Sequence, residues 1–309
     1  MRNINGNSAD FEREHNGTLR PDSWRLADLL LRDIPAHPDI QPLPKIVAVG
    51  HRGTKKYAPE NTLRAHEAAY ALGARAIEFD VRCTKDGHFV VIHDARVDRT
   101  TDGRGWVKEM TLAEIKTLDA GISKGPGFAG EPIPTLREAL RNVKGRFVVD
   151  IDFKGGPKYS AEILAEVLEE EWQSTDPLIT IFARRHHFNR LKPLCPEFAL
   201  RPHYISCGKT RGLANDYPLD IMGLRRLSFS TKAAASIRRA GLHLFCNVMG
   251  IDDNQRGFES AVRAGAMFIQ TDHLDRLTDF LGARGLLQTE ALGRNYQPIT
   301  QLTLSEENK

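Results

Sequence analysis

The sequence predicts an α/β protein folded as a single (β/α)₈ barrel. Eight short apolar runs follow one another within residues 45–285, and amphipathic stretches separate most of them. Strands that alternate with helices pair in parallel, and eight such units over this length fit one barrel domain. An open, doubly wound sheet is the alternative, but no Gly-x-Gly-x-x-Gly motif follows the first run. The predicted strands are Ile46–Val49, Ala76–Phe79, Phe147–Ile151, Leu178–Phe182, Phe198–Leu200, Leu219–Leu224, Leu242–Cys246 and Met267–Gln270.

Apolar residues recur at helical spacing between the predicted strands. The clearest of these amphipathic stretches are Thr62–Leu72, Tyr159–Trp172, Thr231–Ala240 and Gln255–Ala264. Residues 1–44 are predicted to form an N-terminal extension, with one amphipathic helix over Trp24–Leu31 before a series of prolines. Residues 45–285 form the predicted barrel domain, and residues 286–309 a C-terminal tail.

The alternation of strands and helices breaks once, after Asp80. The turn Thr84–Gly87 leads directly into the apolar run Phe89–Ile92, a link shorter than the roughly twelve residues that a parallel crossover needs. We therefore expect a local hairpin there and no ninth barrel strand. Residues 94–134 follow as a long insertion with glycines and prolines, and a segment of that size in a compact domain usually serves a site.

The composition indicates a soluble globular protein and excludes several classes of partner. The 309 residues are 41% hydrophobic and 27% charged, which is ordinary, and the net charge is +3. Basic residues alternate with acids, so we expect no nucleic-acid partner. No segment reaches the roughly 18 apolar residues of a transmembrane helix, and the N-terminus lacks the apolar centre of a secretory signal. The four cysteines have no CxxC spacing, which fits a reducing compartment, and we expect a cytoplasmic protein.

Two histidines follow predicted strands. His51 and Arg52 come directly after the first strand, and barrels of this kind carry their active sites at the carboxyl ends of the strands. His93 follows the run Phe89–Ile92. We expect both histidines to transfer protons and Arg52 to bind phosphate. The alternatives are a solvated histidine, an arginine paired with a surface acid, and a turn in which Asp94 caps the next segment.

Two acids end the second predicted strand. Glu78 and Asp80 are two residues apart, so their side chains point to the same face, which in a barrel is the interior. Buried carboxylates are costly unless they are paired or bind a metal, and two like charges this close favour a cation. We expect both to ligate a metal, with a salt bridge to Arg52 or another base as the alternative. Oxygen ligands favour Mg²⁺ or Ca²⁺ over zinc, because no His/Cys cluster has zinc-site spacing.

The strand near residue 150 carries a second row of charged side chains. Alternation places Asp150, Asp152 and Lys154 on one face. Asp152 lies nearer the carboxyl end, and we expect it to be the third metal ligand. Lys154 lies one position further and can offer its charge to phosphate. Asp150 lies deeper, and we expect a hydrogen-bonded core acid.

Other polar residues carry weaker signals. Asn247 closes the seventh predicted barrel strand and either contacts substrate or shapes its loop. Asp272 closes the eighth, where we expect it to cap a helix beginning near His273. Trp106 and Phe128 lie in the insertion, where aromatic side chains could cover the substrate or pack locally.

At these residues the sequence resembles the glycerophosphodiester phosphodiesterase family. The resemblance extends from Ile46 to Asp272, and linked motifs carry it in the family's order. These motifs are His-Arg-Gly, Pro-Glu-Asn-Thr, Glu-x-Asp, Thr-Lys-Asp-Gly, Val-Val-x-His-Asp, Arg-Thr-Thr and Ile-Pro-Thr-Leu. The resemblance implies a TIM barrel with an insertion after the His-Asp motif.

The resemblance also implies a reaction. A glycerol hydroxyl attacks phosphorus and expels the alcohol, and water then opens a cyclic phosphate, so that a small-molecule glycerophosphodiester gives glycerol 3-phosphate and an alcohol. The implied roles are a divalent metal on Glu78, Asp80 and Asp152, acid/base catalysis by His51 and His93, and phosphate binding by Arg52 and Lys154.

The chain departs from the family pattern at two places. The family usually has Glu-x-Lys where this chain has Asp152-Phe153-Lys154, and the shorter carboxylate bears on which ion is bound. Many members carry a tryptophan near Asn247 that lines the substrate pocket, whereas Leu244 and Phe245 occupy that stretch here. Two alternative functions follow: a phospholipase D-like activity on lysophospholipids or sphingolipids, and a non-catalytic domain that binds phosphodiesters.

Overall fold

The computed structural model describes residues 45–156, 160–172, 179–183, 185–194, 196, 198–204, 221–225 and 231–289. The helix predicted at Trp24–Leu31, together with Cys195 and Cys207, lies outside these residues. Cys83 and Cys246 are buried free thiols, which pack as small apolar side chains. Within the described ranges, no helix has both the length and the apolar character needed to cross a bilayer.

Eight parallel strands form the barrel, in the order β6-β5-β4-β2-β1-β9-β8-β7 among the described residues. The barrel closes between β7 and the residues that follow β6. There the Gly223 amide donates to the Pro202 carbonyl at 2.8 Å, and the Tyr204 amide donates to the Gly223 carbonyl at 2.7 Å. The predicted (β/α)₈ barrel is therefore confirmed. The strands are β1 Val47–Gly50, β2 Ala76–Cys83, β3 Phe89–Val91, β4 Val148–Phe153, β5 Ile179–Ala183, β6 Ala199–Leu200, β7 Ile221–Arg225, β8 His243–Asn247 and β9 Ala266–Thr271.

Helices separate most of the parallel strands. Thr62, Thr135 and Asn254 each cap a helix start by accepting a hydrogen bond from a backbone amide, which satisfies a donor that has no partner within the helix. The four helices predicted from apolar spacing match observed ones to within one residue at each end. The helices are α1 Leu63–Ala71, α2 Leu112–Ile115, α3 Leu136–Val143, α4 Ser160–Glu171, α5 Arg185–Leu194, α6 Thr231–Arg239, α7 Gln255–Ala264 and α8 Leu274–Gly282.

The strands bury side chains on both faces, as strands of a parallel barrel do. A large outer core joins them to the helices, with Leu140 of α3 and Phe258 of α7 among its members. A smaller inner core fills the barrel, and includes Val49, Phe245 and Phe268. The barrel interior is thus closed below the ends of the strands, which leaves the carboxyl-end rim as the place for a site.

The predicted hairpin after Asp80 is present as β3, which pairs antiparallel with Val81–Cys83 of β2. This pairing extends β2 beyond its predicted end at Phe79, so Glu78 and Asp80 lie inside the strand. The insertion that follows packs around its own buried cluster, which includes Val97 and Ile115. Trp106 is 41% exposed and contacts the cations of two neighbouring side chains, so it packs locally.

Backbone pairing continues beyond residue 285. The Ile46 amide donates to the Leu286 carbonyl at 2.6 Å, and the Gln288 amide donates to the Ile46 carbonyl at 3.0 Å. The chain that leaves α8 therefore lies beside the residue that precedes β1. The boundaries of the extension, the barrel domain and the tail stay predictions.

A buried ion pair crosses the barrel interior below the rim. Asp150 of β4 accepts hydrogen bonds from Thr180 and, in a two-pronged contact, from Arg201, and both charged side chains are 2% exposed. The Arg201 guanidinium lies 4.1 Å from the ring of Phe245 and 5.0 Å from that of Phe182. The expectation that Asp150 is a hydrogen-bonded core acid is confirmed.

We expect Arg201→Leu to lower the free energy of unfolding by about 3–5 kcal/mol, because it leaves Asp150 charged, buried and unpaired. Chemical denaturation monitored by circular dichroism measures the loss. Arg190→Leu is the matched control, since Arg190 pairs with Glu162 at the surface and such pairs contribute about 1 kcal/mol or less. Equal, small losses in the two variants would contradict a structural role for the buried pair.

Candidate active site

A tight turn after β1 places His51 and Arg52 over the end of β2. Arg52 and Gly53 both adopt positive φ, at 52° and 81°, and a Cβ on Gly53 would approach the Cβ of Ala65 to 2.6 Å, so the position needs glycine. The Arg52 backbone amide donates to Glu78 Oε2 at 3.0 Å. The turn of the His-Arg-Gly motif is therefore tied directly to the first of the acids.

Three predicted metal ligands converge at the rim. Glu78 and Asp80 are almost fully buried on β2, and Asp152 lies beside Asp80 in the register of β4. One carboxylate oxygen from each lies within 4.8 Å of the other two. β2 and β4 are parallel neighbours, so Glu78 and Asp80, two residues apart on β2, lie close to Asp152 on β4.

Two cations and one amide contact the acids. Lys154 Nζ lies 2.7 Å from Asp80 Oδ1 and 2.5 Å from Asp152 Oδ2. Arg52 Nε lies 3.3 Å from Asp80 Oδ2, and the Asn61 amide donates to the same oxygen at 2.9 Å. The salt bridge considered as an alternative for Asp80 is thus present, whereas Glu78 meets no lysine or arginine side chain in the described part of the chain.

The electrostatics of the three acids differ accordingly. Burial, then the charges of Asp80 and Asp152, raises the pKa of Glu78 well above its usual value. Burial also raises the pKa of Asp152. Burial acts on Asp80 in the same direction, but Lys154, Arg52 and Asn61 outweigh it and lower the pKa of Asp80. The cluster therefore concentrates more negative charge than its neighbouring cations offset, a condition that a divalent cation relieves.

A carboxylate orients His51. Its Nδ1 lies 2.6 Å from Asp272 Oδ1, and its Nε2 lies 3.9 Å from Glu78 Oε2. Asp272 also pairs with Lys55 at 2.8 Å, and His51 and Lys55 outweigh burial to lower the pKa of Asp272 to about 2. The charged carboxylate holds a proton on Nδ1 and leaves Nε2 facing the acids, which suits proton transfer there.

The expected role of Asp272 as a helix cap is wrong. The N-cap of α8 is His273, without a side-chain cap, and the Asp272 carboxylate turns to His51 instead. The Asp272 backbone amide donates to Asp253 Oδ2 at 2.6 Å, which holds the residue in place. A helix cap and the orientation of His51 would use the same carboxylate. His51 is 221 positions away in sequence, so the local pattern around Asp272 predicted the cap and missed the histidine.

His93 has a carboxylate of its own. Its Nδ1 lies 2.6 Å from Asp94 Oδ1, and Arg99 holds Asp94 through Nε at 2.6 Å. Arg99 also donates to both oxygens of Glu60, and Glu60 accepts from Arg52 at 2.8 Å. Asp94 therefore orients the histidine where a cap was the alternative. A continuous chain of hydrogen bonds links the imidazole at 93 to the guanidinium at 52.

Asn247 ends β8 at the rim. Its Oδ1 is buried and accepts no hydrogen bond from the described residues. Leu244 and Phe245, which stand where many members of the resembled family carry a tryptophan, are buried, and Phe245 packs inside the barrel against Phe268. A substrate hydroxyl could donate a hydrogen bond to this Asn247 oxygen.

The structure adds Glu60, Asn61, Asp94, Arg99 and Asp272 to the residues expected at the site. All but Asp272 belong to the motifs Pro-Glu-Asn-Thr, His-Asp and Arg-Thr-Thr, so the motifs were the available signal. Their roles as partners of Arg52, Asp80 and His93 depend on contacts between separate loops.

Comparisons with known proteins agree with this architecture. Residues 51–241 match the model of the glycerophosphoryl diester phosphodiesterase family. A glycerophosphodiester phosphodiesterase of Caldanaerobacter subterraneus is 34% identical over an alignment of 249 residues that covers 78% of this chain and all of that protein. The structure resembles a glycerophosphodiester phosphodiesterase from Agrobacterium tumefaciens (29% identity, TM-score 0.67, 76% of this chain and 99% of that chain). It also resembles an Oleispira antarctica phosphodiesterase in complex with the product sn-glycerol-3-phosphate (26% identity, TM-score 0.69, 77% of this chain and 97% of that chain). The chain belongs to the glycerophosphoryl diester phosphodiesterase family.

Proposed function

We propose that this chain hydrolyses small glycerophosphodiesters to glycerol 3-phosphate and an alcohol. The observation that carries the proposal is the pairing of His51 and His93 with a carboxylate each. His51 lies 3.9 Å from Glu78 of the acid cluster, and His93 is linked through Asp94, Arg99 and Glu60 to Arg52 at that cluster. Two oriented imidazoles supply an acid and a base, and the product bound to the Oleispira relative is the one that this reaction forms.

The acid cluster fits a divalent cation. Its three carboxylates bring oxygen ligands within 4.8 Å of one another, and such ligands suit Mg²⁺ or Ca²⁺. The raised pKa of Glu78 follows from burial beside like charges, which a cation would relieve. When bound by Glu78, Asp80 and Asp152, the ion would supply positive charge to neutralise the phosphate.

The remaining side chains divide the other tasks. One histidine takes the proton of the attacking hydroxyl, and the other donates a proton to the departing alcohol. Arg52 and Lys154 bring positive charge to the phosphate oxygens, and both are already held at the acid cluster by Asp80. The Asn247 Oδ1, which has no donor among the described residues, accepts a hydrogen bond from a substrate hydroxyl.

We expect the purified protein to release glycerol 3-phosphate from glycerophosphoglycerol and glycerophosphoethanolamine when Mg²⁺ or Ca²⁺ is supplied. A coupled glycerol 3-phosphate dehydrogenase assay measures the product. Faster turnover of lysophospholipids, with lysophosphatidic acid as the product, would instead indicate the phospholipase D-like activity. Binding of these diesters by calorimetry without any hydrolysis would indicate the non-catalytic alternative and overturn the proposal.

A further inference from the structure

A cavity of about 480 Å³ opens beside the proposed catalytic residues. Its walls come from the segment that follows β1, from the insertion, and from the end of β9. Two of its lining carboxylates are partners of the site, because Asp272 binds His51 and Glu60 binds Arg52. A substrate whose phosphate lies at His51 and Arg52 therefore has one substituent within reach of this cavity.

The cavity is lined by more positive than negative side chains. The charged lining residues are Lys55, Lys56, Arg99 and Lys124 against Glu60 and Asp272. Three of these cations are paired with carboxylates: Lys55 with Asp272, Lys56 with Asp275, and Arg99 with Glu60 and Asp94. The pairs offset most of the charge of those three side chains, so the positive charge that remains in the wall is centred on Lys124.

Lys124 contributes charge that no acid offsets. Its Nζ donates to the backbone carbonyls of Lys55 and Lys56, at 2.5 and 2.9 Å, which fastens the insertion to the segment after β1. Within the described residues it has no carboxylate partner. An ammonium held by carbonyl oxygens keeps its full charge available to an anion in the cavity.

We propose that this cavity is a subsite for an alcohol substituent carrying an additional negative charge, such as a second phosphate. The inference rests on the proposed function and names its substrate class. Glycerol is uncharged and gains little from the Lys124 ammonium, so this wall suits the other side of the phosphodiester. A choline substituent is disfavoured, because recognition of quaternary ammonium groups uses aromatic rings and the described wall contains no Phe, Tyr or Trp.

Two substrates that differ by one charged group test this subsite. Glycerophosphoglycerol and bis(glycerophospho)glycerol contain the same reacting ester, and the second carries a further phosphodiester on its alcohol. An exposed charge contact is worth a factor of roughly two to five, so we expect kcat/KM to be about two- to fivefold higher for the doubly charged substrate, after correction for its two equivalent ends. The preference should shrink as salt is added, because the contacts are near the surface.

Variants of Lys124 separate charge from structure. Lys124→Gln should reduce the preference several-fold while retaining activity on glycerophosphoglycerol, and Lys124→Arg should preserve the preference. Lys108→Gln removes an equal charge from the insertion outside the cavity and should leave the preference unchanged. A fall in kcat/KM by the same factor for both substrates would show that Lys124 acts only by fastening the loops, and would overturn the subsite.

The kinetics of the unmodified protein distinguish failure of the subsite from failure of the proposed function. Equal kcat/KM for the two substrates in the unmodified protein would overturn the subsite while glycerophosphoglycerol hydrolysis upholds the proposed function. Absence of hydrolysis of either substrate, with Mg²⁺ or Ca²⁺ supplied, would overturn both.

Discussion

Removal of divalent cations is expected to abolish glycerol 3-phosphate release, and addition of Mg²⁺ or Ca²⁺ to restore it. Glu78, Asp80 and Asp152 offer three oxygens within 4.8 Å of one another, and Lys154 and Arg52 offset only part of their charge. Without an ion the phosphate meets an excess of negative charge. Dialysis against a chelator, followed by titration of each ion in turn, measures the dependence and ranks the two ions.

A substitution distinguishes the loss of a metal at the acid cluster from other effects of the chelator on the protein. Glu78→Gln should lower kcat by about 100- to 1,000-fold, the usual cost of losing one electrostatic contributor at a reacting group. Glu259→Gln is the control, because Glu259 lies on α7 and its polar partners among the described residues are side chains at the surface. Full activity in chelator, together with near-normal turnover of Glu78→Gln, would rule out the carboxylate cluster as a metal centre.

Replacement of either histidine is expected to remove most turnover without unfolding the protein. His51→Ala and His93→Ala should each lower kcat by about 100- to 10,000-fold, since each removes one of the two proton-transfer groups. The double variant should lose little more than the worse single one, because groups that act as a unit are not additive. Steady-state kinetics give the loss, and circular dichroism checks the fold.

Two further variants calibrate the histidine result. His88→Ala alters an exposed histidine in the turn between β2 and β3 and should leave kcat unchanged. Asp272→Asn keeps the size of the side chain but removes the charge that orients His51, so its kcat should lie between those of the unmodified protein and His51→Ala. Near-normal turnover in both alanine variants would refute the assignment of these histidines.

Much of the fold could be predicted because its signals are local. Apolar runs separated by helical spacing gave the order of strands and helices, and the short turn Thr84–Gly87 excluded a crossover before β3. The same holds for the acids, since alternation put Glu78 and Asp80 on one face of their strand and Asp152 on one face of its own. In the structure those two strands are neighbours, and Asp152 lies beside Asp80. Strand ends were harder, because the pairing that lengthens β2 to Cys83 depends on β3.

Hydrophobic periodicity and residue type were therefore enough to predict the barrel and the three acids. Both signals depend on residues that are close together along the chain or on adjacent strands. The tertiary structure determines which side chains pair: Asp272 with His51, Glu60 with Arg52 and Arg99, and Arg201 with Asp150. The members of these pairs are separated in sequence, Asp272 and His51 by 221 positions. A cation or imidazole pairs with the carboxylate that lies close to it in the folded protein. No local sequence pattern predicts which loops come close together.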